Sequence, residues 1–311
     1  MTIRILFLLF TALLASCGGG GSSSSTISPA LTGAGQWAEE EGALFEEVTS
    51  TCTLTDGNEY RMFLMGRSEF QVAVSTDGRS FPQTQSTGMI RGSALSATAS
   101  IKNPAVIKRA DTTYLMIYEG EDNSGVKRFF RATSTDGVAF TPVAGPLESG
   151  SVMVPNNEEN KFISVPDLLQ ANGQLHLYYV GNGNGIHHAV SADEGITWTR
   201  SGPITIAGLG TDDRFVDPDV IILSDGRIRL FFAYSLRDEP FGRRGIRTAF
   251  STDGETFTLE NDTPISTEGT ENKLDPDVVE RIDQPGYYRV YFGYSADGTN
   301  SFDLHTALSP E

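Results

Sequence analysis

The sequence predicts an all-β fold: a five-bladed β-propeller with four antiparallel strands per blade, closed by an N-terminal strand. Two observations carry this. The tripeptide Ala-x-Ser recurs at Ala73-Val74-Ser75, Ala132-Thr133-Ser134, Ala189-Val190-Ser191, Ala249-Phe250-Ser251 and Ala307-Leu308-Ser309, at intervals of 57–60 residues. Each copy follows an apolar run rich in Tyr, Phe and Val, and four copies are followed by an Asp-Gly-type turn and an aromatic residue. A repeated unit of roughly 40–60 residues with four strand-sized segments is a propeller blade.

The strands follow in order. The second strand of each unit is Tyr60 to Met65, Tyr114 to Tyr118, Leu175 to Val180, Ile228 to Tyr234 and Tyr288 to Tyr294. Upstream lie shorter apolar stretches, Ala105 to Ile107, Asp167 to Leu169, Asp219 to Leu223 and Asp277 to Val279. Short β-branched and aromatic runs between Asp-Gly or Asn-Gly pairs are strands and tight turns. Asp56-Gly57, Asn172-Gly173 and Asp225-Gly226 mark the first turn of their units. Asp77-Gly78, Asp136-Gly137, Asp193-Glu194-Gly195 and Asp253-Gly254 mark the last, followed by Phe81, Phe140, Trp198 and Phe257. No helical periodicity competes over a comparable length. The fifth unit stops two residues after Ser309 and lacks its last strand. Gly35-Gln36-Trp37-Ala38 echoes Gly137-Val138-Ala139-Phe140-Thr141, so residues near 36–41 are expected to complete the fifth blade. The domain then runs over 36–311.

Residues 1–16 are an address. Arg4 is their only charge, and Ile5 to Leu14 is an apolar run of signal-peptide length. Leu14-Ala15-Ser16-Cys17 resembles the lipobox of bacterial lipoproteins, which implies cleavage before Cys17 and its lipidation. The expected partner is therefore a membrane, reached through the lipid on Cys17. Gly18 to Ser25 is Gly and Ser only, and residues 17–35 form a flexible tether reaching roughly 20–25 Å. Gly18 directly after the lipidated cysteine resembles lipoproteins sent on to the outer membrane. Cys52 then has no partner and is core filler.

Forty acidic residues face 23 basic ones, a formal charge of -17, and loss of Arg4 makes the mature chain more acidic still. That balance argues against nucleic acid and against adsorption to an acidic lipid surface. The expected form is a monomer without cofactor or metal. His187 and His188 lie on opposite faces of one strand, His305 is the register equivalent of His187, and no spacing suggests a zinc site.

Ser191-Ala192-Asp193-Glu194-Gly195-Ile196-Thr197-Trp198 resembles the Asp-box of sialidases and related propellers. Its residue types serve the turn itself: Asp accepts from nearby amides, Gly takes the positive φ, and the aromatic packs between sheets. These turns lie on the outer hairpin, away from the axis.

The chemistry is expected where the inner strands begin, at Asn103-Pro104-Ala105, Val165-Pro166-Asp167, Asp217-Pro218-Asp219 and Asp275-Pro276-Asp277, with Glu46-Glu47-Val48-Thr49-Ser50 as the equivalent stretch of blade one. Lys102, Lys161, Arg214 and Lys273 precede the four motifs. A five-bladed ring with Asp-Pro opening inner strands resembles the arabinanase, levansucrase and invertase superfamily of glycoside hydrolases. That resemblance implies an Asp before Pro as general base, a second Asp tuning pKa values and a Glu from another blade as acid. It marks Asp217 and Asp275 as candidate catalytic carboxylates. Asp167, Asp219, Asp277, Arg214 and Lys273 are candidate substrate-binding residues. The family's base belongs to the first blade, which here lacks Asp-Pro, and Glu47, Glu119, Glu121, Glu239 and Glu271 are the candidate acids. Three functions follow from these residues: hydrolysis of an oligosaccharide by carboxylate acid/base chemistry, glycan binding without cleavage, and a scaffold in an envelope complex. A further possibility is that the aspartates pair with Arg214, Lys273 and backbone amides purely to tie the blades together. The polar loops Gly120 to Lys127 and Leu236 to Arg244 are expected at the mouth, where recognition residues gather.

Overall fold

The computed structural model describes residues 37–92, 100–210, 213–235, 244–260, 265–298 and 301–310. The expected signal segment, Cys17 and the expected tether lie outside the described residues.

Five sheets form a ring. Blade one holds β2 (Thr51–Asp56), β3 (Glu59–Met65), β4 (Glu69–Ser75) and β5 (Thr84–Ile90). Blade two holds β6 (Ser100–Lys108), β7 (Tyr114–Glu121), β8 (Lys127–Ser134) and β9 (Thr141–Val143). Blade three holds β10 (Ile163–Ala171), β11 (Gln174–Gly181), β12 (Gly185–Ser191) and β13 (Thr199–Pro203). Blade four holds β15 (Arg214–Ile222), β16 (Ile228–Ser235), β17 (Gly245–Ser251) and β18 (Thr256–Leu259). It departs from the expected four strands, because β14 (Thr205–Ala207), on the crossing from blade three, adds in parallel to β18. Blade five holds β19 (Asn272–Glu280), β20 (Tyr288–Ser295) and β21 (Asp303–Leu308), completed by β1 (Ala38–Glu39).

The core lies between blades. Phe63 and Val72 of blade one pack with Tyr118 and Phe130 of blade two in one cluster. Equivalent clusters fill each remaining gap around the ring. Every sheet is therefore apolar on both faces, and β7 is buried at every residue from Tyr114 to Gly120. That explains why the second strands read as continuous apolar runs, without the alternation of a half-exposed sheet.

The Asp-Gly turns bind one blade to the next. Gly78 N–H donates to Ser75 Oγ at 2.9 Å, and Arg79 N–H donates to Asp77 Oδ1 at 2.8 Å. The Tyr291 hydroxyl of blade five then donates to Gly78 O at 2.7 Å, and Tyr178 of blade three does the same to Gly254 O of blade four at 2.9 Å. At Gly137, with φ +70°, an added Cβ would lie 2.7 Å from the Tyr114 ring, so the turn needs glycine for both conformation and space.

The closing strand is only two residues long, pairing Ala38 with Leu308 and Glu39 with Ala307. Backbone bonds carry the seam further, from Glu40 N–H to Thr306 O at 2.9 Å and from Leu44 N–H to Leu304 O at 2.7 Å, and side chains add to it. Trp37 is 5% exposed and meets Phe231 edge-on with ring centroids 5.5 Å apart. Lys273 Nζ meets Glu39 at 2.6 Å, and Arg289 pairs with Glu40. Trp37→Ala is expected to lower stability by about 3–5 kcal/mol, read by chemical denaturation, as for other buried large-to-small aromatic changes. A loss below about 1 kcal/mol would show that the seam does not depend on this ring.

Candidate functional site

Four inner strands share one irregularity. Their pairing with the second strand slips between Lys102 and Ala105, Ser164 and Asp167, Val216 and Asp219, and Leu274 and Asp277. In each case an X-Pro pair stands opposite a single residue, which is a β-bulge. Proline suits the position because a bulge needs no ladder donor there. The residue before each proline has a positive φ: Asn103 51°, Val165 46°, Asp217 55° and Asp275 50°. For a β-branched residue such as Val165 this conformation is an outlier, held only because the surrounding ring over-determines it.

The bulges line a narrow axial cavity together with Ser50, Thr51 and Cys52. Ser50-Thr51-Cys52 is thus the blade-one counterpart of Asp275-Pro276-Asp277; the stretch 46–50 overlaps it only at Ser50. Register confirms the alignment, since Cys52 faces Phe63 as Asp277 faces Tyr291. The cavity has a volume of about 20 Å³, room for roughly one water molecule.

Two layers of side chains surround it. The lower layer is Cys52, Ala105, Asp167, Asp219 and Asp277, and it staples neighbouring blades. Thr53 N–H donates to Asp277 Oδ1 at 2.8 Å, Val106 N–H to Cys52 Sγ at 3.1 Å and Val220 N–H to Asp167 Oδ2 at 2.9 Å. The Val278 amide serves Asp219 in the same way. Thr51 and Thr53 hydroxyls add bonds of 2.6 Å each to Asp277. Burial raises all three carboxyl pKa values, Asp167 to about 7 with Asp277 adding to the effect. The Cys52 thiol is pushed well up by burial and by the three aspartates, so it is an inert bridge.

The upper layer is Ser50, Asn103, Val165, Asp217 and Asp275. Asp217 is buried and Asp275 half-buried. Burial, then the charge on Asp217, raises Asp275 to about 7, against hydrogen bonds from Ser50 and Thr49. Asp217 is also raised by burial, opposed by Arg244, by the Asp275 amide and by Lys127. Arg244 Nη1 lies 3.7 Å from Asp217 Oδ2. Two carboxyls from adjacent blades therefore share one environment, the cations favouring ionised Asp217 and the neighbouring charge favouring protonated Asp275.

The remaining candidates are dispersed. Arg214 is half-buried at the start of β15 and forms no ion pair with a described carboxylate. Lys273 is buried away from the cavity, between Glu39, Glu271 at 3.5 Å and the Ser266 carbonyl at 2.8 Å, as part of the ring seam. Among the candidate acids, Glu119 is buried one bond from the cavity. It takes Lys127 Nζ at 2.8 Å, Asn103 Nδ2 at 2.9 Å and Val165 N–H at 3.3 Å, which props two bulges in place. Glu271 bonds to Tyr294 and Lys273, Glu121 faces Ser100, and Glu47 is exposed with its amide on Asp303. Glu239 lies outside the described residues. Motif reading missed Lys127 and Arg244 as site residues, although both stand at the ends of the two polar loops expected at the mouth. His187 and His188 are both buried in blade three.

No protein-family model and no curated protein matches the sequence. Solved structures share its fold. A thermostable family-43 glycoside hydrolase superposes with a TM-score of 0.66 at 14% identity, over 88% of this chain and 91% of that one. An endo-1,4-β-xylanase from Bacteroides thetaiotaomicron gives 0.66 at 13%, over 88% and 97%. An α-L-arabinofuranosidase from Podospora anserina, in complex with cellotriose, gives 0.62 at 11%, over 89% and 97%. The chain thus shares the five-bladed propeller fold of these proteins.

The hub has a measurable pH signature. A carboxyl whose folded pKa is raised binds more protons in the native than in the unfolded state between about pH 4 and 7, so stability falls as pH rises through that window. Asp167→Asn keeps an acceptor for Val220 N–H and removes the charge. It is expected to stabilise the domain at pH 8 by about 1 kcal/mol or more, and to give no gain at pH 4, in urea titrations at both pH values. A pH-independent difference would show that Asp167 is not held protonated by the fold.

Proposed function

We propose that this chain is a lipid-anchored protein of the bacterial envelope, at the outer membrane, whose propeller hydrolyses a glycosidic bond presented at the mouth of the axial cavity, with Asp217 and Asp275 as the two carboxyls. One observation carries the reading: two carboxyls on neighbouring bulges at the axial mouth are electrostatically coupled, one beside a guanidinium and one held near neutrality. The shared fold with glycoside hydrolases supports the substrate class, and Leu14-Ala15-Ser16-Cys17 supports the anchor.

Glycoside hydrolysis needs one carboxyl that gives a proton to the leaving oxygen and one that is ionised. Asp275 suits the first role, because burial and the Asp217 charge keep its proton near pH 7. Asp217 suits the second, as Arg244, Lys127 and the Asp275 amide all favour its anion. The space between the bulges admits about one water, which Asp217 can orient and deprotonate. Since the acid must be protonated, kcat/KM should fall as pH rises through about 7.

A second reading, glycan binding without cleavage, is favoured by one feature: blade one presents Ser50-Thr51-Cys52 where an Asp-Pro would stand. A panel of aryl glycosides and oligosaccharides separates the two. Under the hydrolase reading, Asp217→Asn and Asp275→Asn each lower kcat about 10²-fold or more with unchanged circular dichroism. Binding by wild type with no turnover on any substrate selects the second reading, and turnover unaffected by both substitutions removes Asp217 and Asp275 from the chemistry. For the anchor, Cys17→Ser should move the protein from the membrane to the soluble fraction. A variant that stays with the membrane would overturn lipidation at Cys17.

A further inference from the structure

The chain enters the propeller at the end remote from the axial mouth. The mouth lies at the level where the inner strands begin, and β19 starts there at Asn272, opposite Ser295 at the end of β20. The other end of that blade holds Glu280 opposite Tyr288, and Leu308 beside Arg289. Ala38, the first residue of the closing strand, pairs with Leu308, so Trp37 stands at the remote end. From there the chain climbs the blade edge. Glu40 N–H donates to Thr306 O, Leu44 N–H to Leu304 O, and Glu47 N–H to Asp303 Oδ1 at 3.0 Å. Thr49 and Ser50 then reach Asp275 at the mouth with their side chains. The Asp-Gly turns share the remote end, since Ser75 pairs with Tyr60 at the start of β3, and Tyr60 with Thr55 near the end of the inner strand β2.

A lipid on Cys17 therefore holds the domain by its remote end. Cys17 lies 20 positions before Trp37, and the composition between them is that of a Gly/Ser-rich coil. Such a coil has an r.m.s. reach of about 25 Å, which is about 14 Å along the membrane normal. The mouth and the remote end are about 25 Å apart, the length of the eight-residue strand β20. A mouth resting on the lipid would lift Trp37 by that height, nearly twice the spread of the tether along the normal. The Gaussian weight of so extended a coil is about fivefold lower. We propose that the propeller stands with its axial mouth turned away from the bilayer that holds it, and so takes its glycan from the aqueous side. This rests on the anchor and the glycan chemistry proposed above. The ligand is then a polymer or fragment that arrives through water, and not a headgroup sugar of the same leaflet. Asp217 and Asp275 lie in the layer nearer that open end, above the amide-bonded staples.

The test places the full-length lipoprotein, isolated from membranes, in vesicles that contain a lipid-borne fluorescence quencher. Gln174→Cys marks the remote end of one hairpin and Asn184→Cys its mouth end, since Gln174 pairs with Ala171 and Gly181 with Ile163 at the start of β10. Asn58→Cys and Ser68→Cys repeat the comparison on blade one, and all four positions are exposed, so the substitutions leave packing intact. Each variant carries one reactive thiol, because Cys17 is acylated and Cys52 is inert. The expected result is quenching of a thiol-linked dye several-fold stronger at Gln174→Cys than at Asn184→Cys, and stronger at Asn58→Cys than at Ser68→Cys. Equal quenching at the two ends, or stronger quenching at the mouth end, would overturn the orientation. A wild-type chain that does not join the vesicles would overturn it together with the anchor. Glycan turnover plays no part in the readout, so the hydrolase reading stands or falls separately.

Discussion

The ring depends on what happens to the inner-strand amides that face the next blade. Five strands converge on one axis, and sheet pairing cannot continue from blade to blade there. A buried amide without an acceptor is expensive. This chain supplies the acceptor from a side chain at one register position in four of the blades, while blade two has Ala105 there. Asp277, Cys52 and Asp167 each take an amide one residue past the equivalent position on an adjoining blade. Aspartate holds three of the five positions, and the Cys52 thiol takes its amide in the same way.

That solution places negative charge where water is scarce, and the candidate site inherits the consequence. The X-Pro bulges lift Asp217 and Asp275 one layer above the staples, still close enough to one another for coupling. Below them the staples are bonded to amides; around them stand Arg244, just ahead of β17, and Lys127, the first residue of β8. Scaffold and candidate site are thus separated by two residues of backbone at each bulge. The positive φ of Asp217 and Asp275 is part of that separation, since an extended residue there would place its carboxyl elsewhere.

Most of the fold was legible because its signals are local. Ser75, Asp77 and Gly78 close a turn with their own atoms, so the motif recurs wherever the turn does. The seam was legible for a related reason: Trp37 fills the slot that Phe140 fills in its own blade. The site was legible only in part. Asp217 and Asp275 announce themselves through proline, but Ser50-Thr51-Cys52 fills the same place with no proline, so blade one could not be aligned by motif. Lys273 precedes an Asp-Pro like its counterparts, yet strand alternation turns it to the seam, where Glu39 was free to meet it. Arg244 depends on how a long loop returns, which no spacing encodes. Strand β14 was missed because its partner, β18, lies some fifty residues downstream and runs parallel to it.

The seam that begins at Ala38 and Leu308 has a consequence for biosynthesis. The closing segment at Ala38 cannot settle until its partner at the far end of the domain has been made. Until then the nascent domain carries two raw sheet margins, one on either side of an unfilled gap, and such margins invite pairing with other chains. The acidic surface of the emerging chain opposes that by mutual repulsion. A polypeptide cut short near its C-terminus would keep nearly every blade and still be left with the gap.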